Sequence, residues 1–356
     1  MTAEEYHLRI NGQAWHGWTA MRISTGIERI ARDFEVQVTR RAGDSGGLLD
    51  AVSSGIRQGD KVEVLLGTDL VLTGYVDARP VNYDARSITR SISGRSRTGD
   101  LVDSSAQVRQ FRGQTPQQIA QALCEPFGIK VYAASALTAI SDFSVDWGET
   151  VREAIDKLMS SQRLLAYDDA AGDLHFGAVG ALRADTPLVY GQNILTCQMG
   201  DDESECHSEY LVAGQRAGND DDFGAATTTK VSQKTLGSVK RHRPLYIKQT
   251  GHATGASCRA MCEFESAKRA AKARDVTYTV QGWRQTSGRL WRPNMAVTVT
   301  DPHAGFAEET LVIAEVEYSR GDQGTLATLR CGPAAAYLPD VPDPKPAKKA
   351  KEDDRF

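Results

Sequence analysis

Two stretches far apart in the chain share one local pattern, and this constrains the fold more than any other feature of the sequence. The first reads Gly59-Asp60-Lys61-Val62-Glu63-Val64, then Leu70-Val71-Leu72-Thr73-Gly74-Tyr75-Val76, then a strand ending at Gly94. The second reads Pro293-Asn294-Met295-Ala296-Val297-Thr298-Val299, then Leu311-Val312-Ile313-Ala314-Glu315-Val316, then a strand ending at Gly332. In each, a turn feeds a Val-x-Val strand, a hairpin returns through a Leu-Val-Leu or Leu-Val-Ile strand, and a third strand follows. Alternation of apolar and polar residues is the signature of strands with one buried face. The second copy has the longer hairpin loop, Asp301–Glu309. Two readings fit: a duplicated β-unit, or the chance likeness of two short meanders.

Between the copies the texture changes. Upstream, Phe34, Val36 and Val38 alternate with Glu35, Gln37 and Thr39 as a half-buried strand does. From about Gly99 helices enter. Thr115-Pro116 places an N-cap before a proline whose missing N–H costs nothing at the first helical position. Ile119, Ala120, Leu123 and Phe127 then recur at helical spacing up to Gly128. Thr150 and Glu153 have the spacing of a capping box, with Val151, Ile155, Leu158 and Met159 as the apolar face behind them. Leu164–Tyr167 and Leu174–Phe176 read as a hairpin, so this middle section is α+β. A third helix, about Ala256–Arg274, carries Cys258, Met261, Cys262 and Ala270 on one side. Its cations Lys268, Arg269, Lys272 and Arg274 come late, where the helix dipole favours them.

Charge is unevenly distributed. Residues 196–224 hold Asp201, Asp202, Glu203, Glu205, Glu209, Asp220, Asp221 and Asp222 against Arg216 alone. Residues 230–248 hold Lys230, Lys234, Lys240, Arg241, Arg243 and Lys248 and no acid. Gly218–Ser238, rich in Asp, Thr, Gly and Ser, reads as a mobile loop. The last segment, with Pro339, Pro342, Pro344 and Pro346 followed by mixed charges, reads as a solvated tail.

Composition narrows the function classes. With 356 residues the chain has room for two or three domains. A net charge of -4 gives no global attraction to nucleic acid or anionic lipid. No apolar run has the length of a membrane span, and Met1–Ile10 lacks the apolar core of a signal peptide, so synthesis and folding in a cytoplasm are expected. Six cysteines in so long a chain are too sparse for a disulfide framework and read as reduced thiols.

No catalytic motif stands out. Gly94-Arg95-Ser96-Arg97-Thr98-Gly99-Asp100 has a P-loop's glycine spacing, but Asp stands where a lysine must meet phosphate. Its second glycine comes one residue late for a nucleophile elbow around Ser96. Cys258 and Cys262 share a helical face without a second ligand pair for zinc. Asp201-Asp202-Glu203-Ser204-Glu205 lacks the glycine and distal glutamate of a calcium loop. The seven histidines are scattered. The sequence therefore nominates no catalytic residue, cofactor or metal ligand. The arginines at 86, 90, 95, 97, 109 and 112 suit ion pairs and protein interfaces, since only Phe111 offers a platform on which a base could stack.

Several strings, in order and spacing, resemble the baseplate hub proteins of Mu-like contractile-tailed phages and prophages. They are the run from Gly94 through Asp100 to Ser105, Ala122-Leu123-Cys124-Glu125-Pro126-Phe127-Gly128-Ile129 and Gly148-Glu149-Thr150-Val151-Arg152-Glu153-Ala154-Ile155. Later come Arg241-His242-Arg243-Pro244-Leu245, Gly282-Trp283 and Leu290-Trp291-Arg292-Pro293-Asn294. The resemblance implies a multidomain α+β chain in which two similar β-barrel domains flank an α+β middle domain. On that plan residues 1–98 form the first barrel. Residues 99–187, joined by 239–274, form the middle domain, against which the Ala256–Arg274 helix would pack. Residues 188–217 and 275–335 form the second barrel, 218–238 a mobile loop and 336–356 a disordered tail. The resemblance also implies a structural role without catalysis: a homotrimer that adapts a hexameric tail tube to a trimeric spike, contacts other baseplate proteins and lets DNA pass. Its location would be the virion tail baseplate, after synthesis in the host cytoplasm.

Within that reading, Asp201, Asp202 and Glu203 with Lys240, Arg241 and Arg243 are candidate interface charges. Gly94, Arg95, Ser96, Asp100, Trp283 and Trp291 are structural members of the family motif. The rival readings are a tail-tip enzyme such as a peptidoglycan hydrolase, or a carbohydrate-binding receptor protein using Trp15, Trp18, Trp147, Trp283 or Trp291. For the tryptophans, anchoring in a core or interface is the default.

Overall fold

A computed structural model describes residues 5–41, 43–44, 46–215, 228–234 and 239–339. Its internal contacts divide it into a larger unit, Met1–Met199 with Val276–Pro339, and a smaller one that includes Gly200–Asp275.

The larger unit begins with eight strands: β1 (Tyr6–Ile10), β2 (Gln13–Trp15), β3 (Ala20–Gly26), β4 (Asp33–Arg41), β5 (Lys61–Leu66), β6 (Asp69–Ala78), β7 (Val81–Tyr83) and β8 (Ser87–Ser96). Helix α1 (Leu48–Gly55) lies between β4 and β5. The middle section follows with α2 (Gly99–Asp103), β9 (Gln110–Phe111), α3 (Pro116–Cys124), β10 (Val131–Ala133), β11 (Phe143–Ser144), α4 (Val151–Gln162), β12 (Leu165–Asp168) and β13 (Leu174–Gly177). Thr150 forms the expected capping box with Glu153, and Thr115, expected as an N-cap, also completes a box with Gln118. Side-chain caps of this kind contribute about 1 kcal/mol each. Ile119, Leu123, Val151, Ile155, Leu158 and Phe176 make a separate core for this section. The hairpin read at Leu164–Tyr167 and Leu174–Phe176 is the antiparallel pair β12–β13.

The chain then forms β14 (Leu182–Arg183), β15 (Leu188–Val189) and β16 (Ile194–Met199). The smaller unit contributes β17 (Glu209–Gln215), β18 (Thr228–Lys234), β19 (Pro244–His252) and α5 (Gly255–Lys272). The larger unit finishes with β20 (Val276–Gln281), β21 (Met295–Asp301), β22 (Phe306–Gly321) and β23 (Gly324–Gly332).

The two β-regions of the larger unit belong to one 15-stranded sheet, whose main path is β16-β20-β23-β22-β3-β4-β8-β6-β5-β1-β2. Within this sheet one five-strand order occurs twice, the second time with β21, which branches from β22 off the main path. The first half runs β3-β4-β8-β6-β5 and the second β16-β20-β23-β22-β21, with every neighbouring pair antiparallel. Register agrees as well as order. Val62 faces Gly74 as Val297 faces Leu311, Phe34 faces Gly94 as Val276 faces Cys331, and a bulge follows both Val76 and Ile313. The second hairpin turns tightly, with Asp301 already opposite Phe306.

Several expectations are corrected. The two β-regions are continuous with each other through pairing of β3 with β22, and the described pairings close no barrel. One core cluster holds Ile23, Phe34 and Val64 of the first half together with Tyr278, Val297 and Leu329 of the second. Residues 200–215 do not extend the second half, since β17 pairs instead with β18 and β19, and 216–217 lie outside the described residues. The helix expected on the middle section is α5, and it packs on the β17 sheet, burying Cys258 and Cys262 against Val212 and Ala253. Gly214 permits this packing, since a Cβ there would come within 2.3 Å of the Ala253 Cβ. Part of the 218–238 loop is strand β18, while 218–227 and 235–238 lie outside the described residues. Chain order also continues past the expected start of the tail, as a 3-10 turn at Ala334–Tyr337 buries Ala336 and Tyr337. Residues 340–356 lie outside the described residues.

Because both halves share one core, Leu329→Ala, which removes a fully buried side chain, should cost about 2–5 kcal/mol. Urea unfolding followed by tryptophan emission should show that loss in one shifted transition for both β-regions.

Candidate functional site

Of the family-motif residues, Gly94, Arg95, Ser96 and Asp100 converge where the first half of the sheet meets the middle section, whereas Trp283 and Trp291 lie elsewhere. Gly94 is required by close approach, since a Cβ there would lie 2.0 Å from the Tyr75 carbonyl oxygen and 2.8 Å from the Phe34 ring. Ser96 Oγ accepts the Arg32 backbone N–H at 3.1 Å and lies 2.8 Å from Thr98 Oγ1. The centre of this cluster is an ion pair, Arg32 Nε to Asp168 Oδ1 at 2.9 Å, with Asp168 buried. Arg32 also donates to the carbonyl oxygens of Asp168 at 2.7 Å and Val71 at 2.8 Å, so its guanidinium binds both regions at once. Burial pushes the Asp168 carboxyl up, opposed by Arg32 and the Ser96 hydroxyl. Arg95 lies nearer solvent and bridges Asp77 at 2.8 Å and Asp103 at 2.6 Å, while Asp100 sits in the first turn of α2 with its carboxyl raised by burial. Nothing here resembles an activated nucleophile. It is a polar joint between two parts of one unit.

Trp283 and Trp291 are likewise structural. Both are buried; the Trp283 indole N–H donates to the Ser319 carbonyl at 3.1 Å, and the Tyr318 hydroxyl donates to the Trp291 carbonyl. Trp15 and Trp18 are also buried, whereas Trp147 is 92% exposed.

A cavity of about 430 Å³ lies in the larger unit, bordered by Arg32, Asp168, Asp169, His175, Arg292 and Tyr318. Four of its ionisable groups form two pairs, Arg32 with Asp168 and His175 with Asp169 at 2.9 Å. Among the described residues no group of three or more His, Cys, Asp or Glu side chains is placed to hold a metal ion. No helix among them is long and apolar enough to cross a membrane.

The charged candidates occupy the smaller unit and divide into two kinds. Asp202 caps the 3-10 turn Glu203–Glu205, accepting the Ser204 N–H at 2.7 Å, which lowers its carboxyl below the usual range. Arg243 donates to the Glu203 carbonyl at 3.4 Å and to the Ser204 carbonyl, tying the acidic turn to the start of β19. Asp202 and Arg243 therefore act inside the chain. Asp201, Glu203, Lys240 and Arg241 are exposed. The buried Arg32–Asp168 joint was not singled out from sequence, because its partners are far apart in the chain and neither lies in a recognisable motif.

Comparison with known proteins fits this picture of joints and surfaces. Residues 5–96 match the family described as the N-terminal domain of a GpP-like Mu phage baseplate assembly protein. Residues 98–178 match the second domain of gp44-like baseplate hub proteins, and residues 254–340 the fourth domain of GpP. The baseplate hub protein gp44 of Escherichia phage Mu is 30% identical over 353 residues, covering 96% of this chain and 91% of that protein. The chain belongs to the Mu-type baseplate hub family. The 43 kDa tail protein of prophage MuSo2 from Shewanella oneidensis shares 29% identity at a TM-score of 0.83, covering 94% of this chain and 99% of the other. A tail protein from Neisseria meningitidis has the same fold at 22% identity and a TM-score of 0.79, covering 95% and 99% of the two chains. Family membership supports a structural baseplate role.

Asp168→Ala should cost about 3–5 kcal/mol by leaving Arg32 charged and unpaired beside the core. Arg241→Ala, on an exposed side chain, should stay within about 0.5 kcal/mol. Thermal unfolding of the two variants checks both.

Proposed function

We propose that this hub protein assembles into a homotrimeric ring at the tip of a phage tail, joining a hexameric tube to a trimeric spike and leaving a central passage for DNA. The observation that carries the reading is the repeated five-strand order. A chain that presents the same β-unit twice offers six similar units when three copies close around an axis. That is the number a sixfold tube needs, while the middle section and the smaller unit occur once per chain and keep threefold symmetry. Closed rings of this kind are made by heterologous contacts repeated around a rotation axis. Function then rests on mating surfaces, and catalysis has no part in it. Lys240 and Arg241, with Asp201 and Glu203, are the exposed charges proposed to steer neighbours or partner proteins. Such charges act mainly on association rate and lose effect as salt rises. The proposed location is the virion baseplate, after synthesis in the host cytoplasm.

Light scattering of the full chain should give three times the 38.7 kDa subunit mass in the assembling concentration range. A monomer at every concentration would overturn the trimer. Lys240→Glu with Arg241→Glu should slow association with spike or neighbouring baseplate proteins several-fold at low salt and much less at high salt; unchanged kinetics would remove these residues from the interface.

A further inference from the structure

One difference between the two halves of the sheet identifies what is missing. In the intact seam, the outer edge of β3 pairs with the second half of β22, from Glu315 opposite Gly26 to Arg320 opposite Met21. By the repeated order, β16 occupies the place of β3. Met21 faces Val36 as Cys197 faces Tyr278, and Ile23 faces Phe34 as Met199 faces Val276. Strand β7 in turn occupies the place of the second half of β22. Tyr318, Ser319 and Arg320 face Ala327, Leu326 and Thr325 of β23, just as Val81, Asn82 and Tyr83 face Arg90, Thr89 and Ile88 of β8.

Among the described residues, β16 pairs only with β20 and β7 only with β8, so each has an open edge. Burial changes accordingly. Met21 is 3% exposed, while its counterpart Cys197 is exposed. Tyr318 is 2% exposed, while its counterpart Val81 is 43% exposed and the neighbouring Tyr83 79%. Leu195, on the other open edge, is also exposed. Apolar side chains at positions covered in one half and bare in the other mark a surface awaiting an equivalent cover. Open strand edges of this kind are templates for further pairing.

We infer that the occupant is a second copy of this chain: the open edge of β16 pairs antiparallel with the open edge of β7 of its neighbour, reproducing between copies the seam that β3 and β22 form within one. Transferring the register places Cys197 opposite the neighbour's Tyr83, Gln198 opposite Asn82 and Met199 opposite Val81. The contact is head-to-tail, which generates a ring when the rotation closes. The ion pairs that staple the internal seam, such as Arg29 with Glu315 at 2.7 Å and Arg22 with Glu317 at 3.5 Å, have no counterparts at β7, where Ala78 and Pro80 stand in place of Glu315 and Glu317. The seam between copies therefore rests on backbone hydrogen bonds and apolar contact. This inference rests on the ring proposed above and names its interface.

Directly opposed residues of an antiparallel pair have Cα separations of about 4.5–5.5 Å, within the range a disulfide spans. Full-length Tyr83→Cys, carrying its native Cys197, should therefore cross-link between copies under mild oxidation and give a reducible ladder on a denaturing gel. The link should vanish in Tyr83→Cys with Cys197→Ser, and Asn82→Cys, on the opposite face of the strand, should not form it. Val81→Asp, at an exposed position, should raise the concentration for half-assembly about tenfold or more with unchanged circular dichroism. If the particle mass matches the ring and Tyr83→Cys fails to link to Cys197, the edge pairing is wrong and the ring survives. If the protein stays monomeric and unlinked at every concentration, both fall.

Discussion

The seam between β3 and β22 determines what kind of object this protein is. Six residues of one strand pair with six of another from the far end of the chain, and that ladder turns two separate meanders into one sheet over one core. It lets Phe34 and Val64 share their environment with Tyr278 and Leu329, so neither half has to bury its apolar face alone. Arg29, held between Asp33 at 2.5 Å and Glu315 at 2.7 Å, and Arg330, reaching Glu28 at 2.6 Å, fix the register from the rim. A one-residue slip would turn every inward side chain of β22 outward, which a shared core forbids.

The insertions follow from the same arrangement. The α+β middle section sits in the chain between the two halves and is bonded to the first through Arg32 and Asp168. The smaller unit interrupts the second half between β16 and β20, where the first half has only the short Ile27–Arg32 connection. Duplication supplies repeated strands and the insertions supply what occurs once, a division that suits the adapter role proposed above. In such a protein the groups that look chemically eventful, among them a buried carboxylate, a cavity with a histidine and a glycine-rich turn, act as joints.

The local features were legible from sequence because local physics decides them. Thr115 and Thr150 each stand three residues before the side chain that completes the capping box, and the helices begin there as expected. The paired meanders were visible as Val-x-Val strands, and the tryptophans at 283 and 291 fell in a core as their size predicts. The repeat itself was aligned out of step. Reading Leu70-Val71-Leu72 against Leu311-Val312-Ile313 differs from the ladders, which set Gly74 in the place of Leu311. The offset is an even number of residues, so the apolar faces stay in phase and the sequence pattern hardly registers it. Bulges after Val76 and Ile313 fix the true register, and a bulge leaves little trace in composition.

Where the strands go was beyond the sequence. Whether β17 extends the large sheet or starts a new one, and whether α5 covers the middle section or its own small sheet, depend on which apolar surfaces meet, and many pairings of amphipathic elements satisfy the same alternation. Close approach decided some of these, as at Gly214, where only a missing side chain lets Ala253 come near. The sequence by itself determined the capped helices and the alternating strands, since these depend on neighbours a few residues away, and it left the doubling of the β-unit as one of two readings. Tertiary structure alone decided that the two β-regions are one sheet, that a half-buried arginine and a buried aspartate join it to the middle section, and which strand edges remain open. Those outcomes come from contacts between residues hundreds of positions apart, whose energies no local pattern encodes.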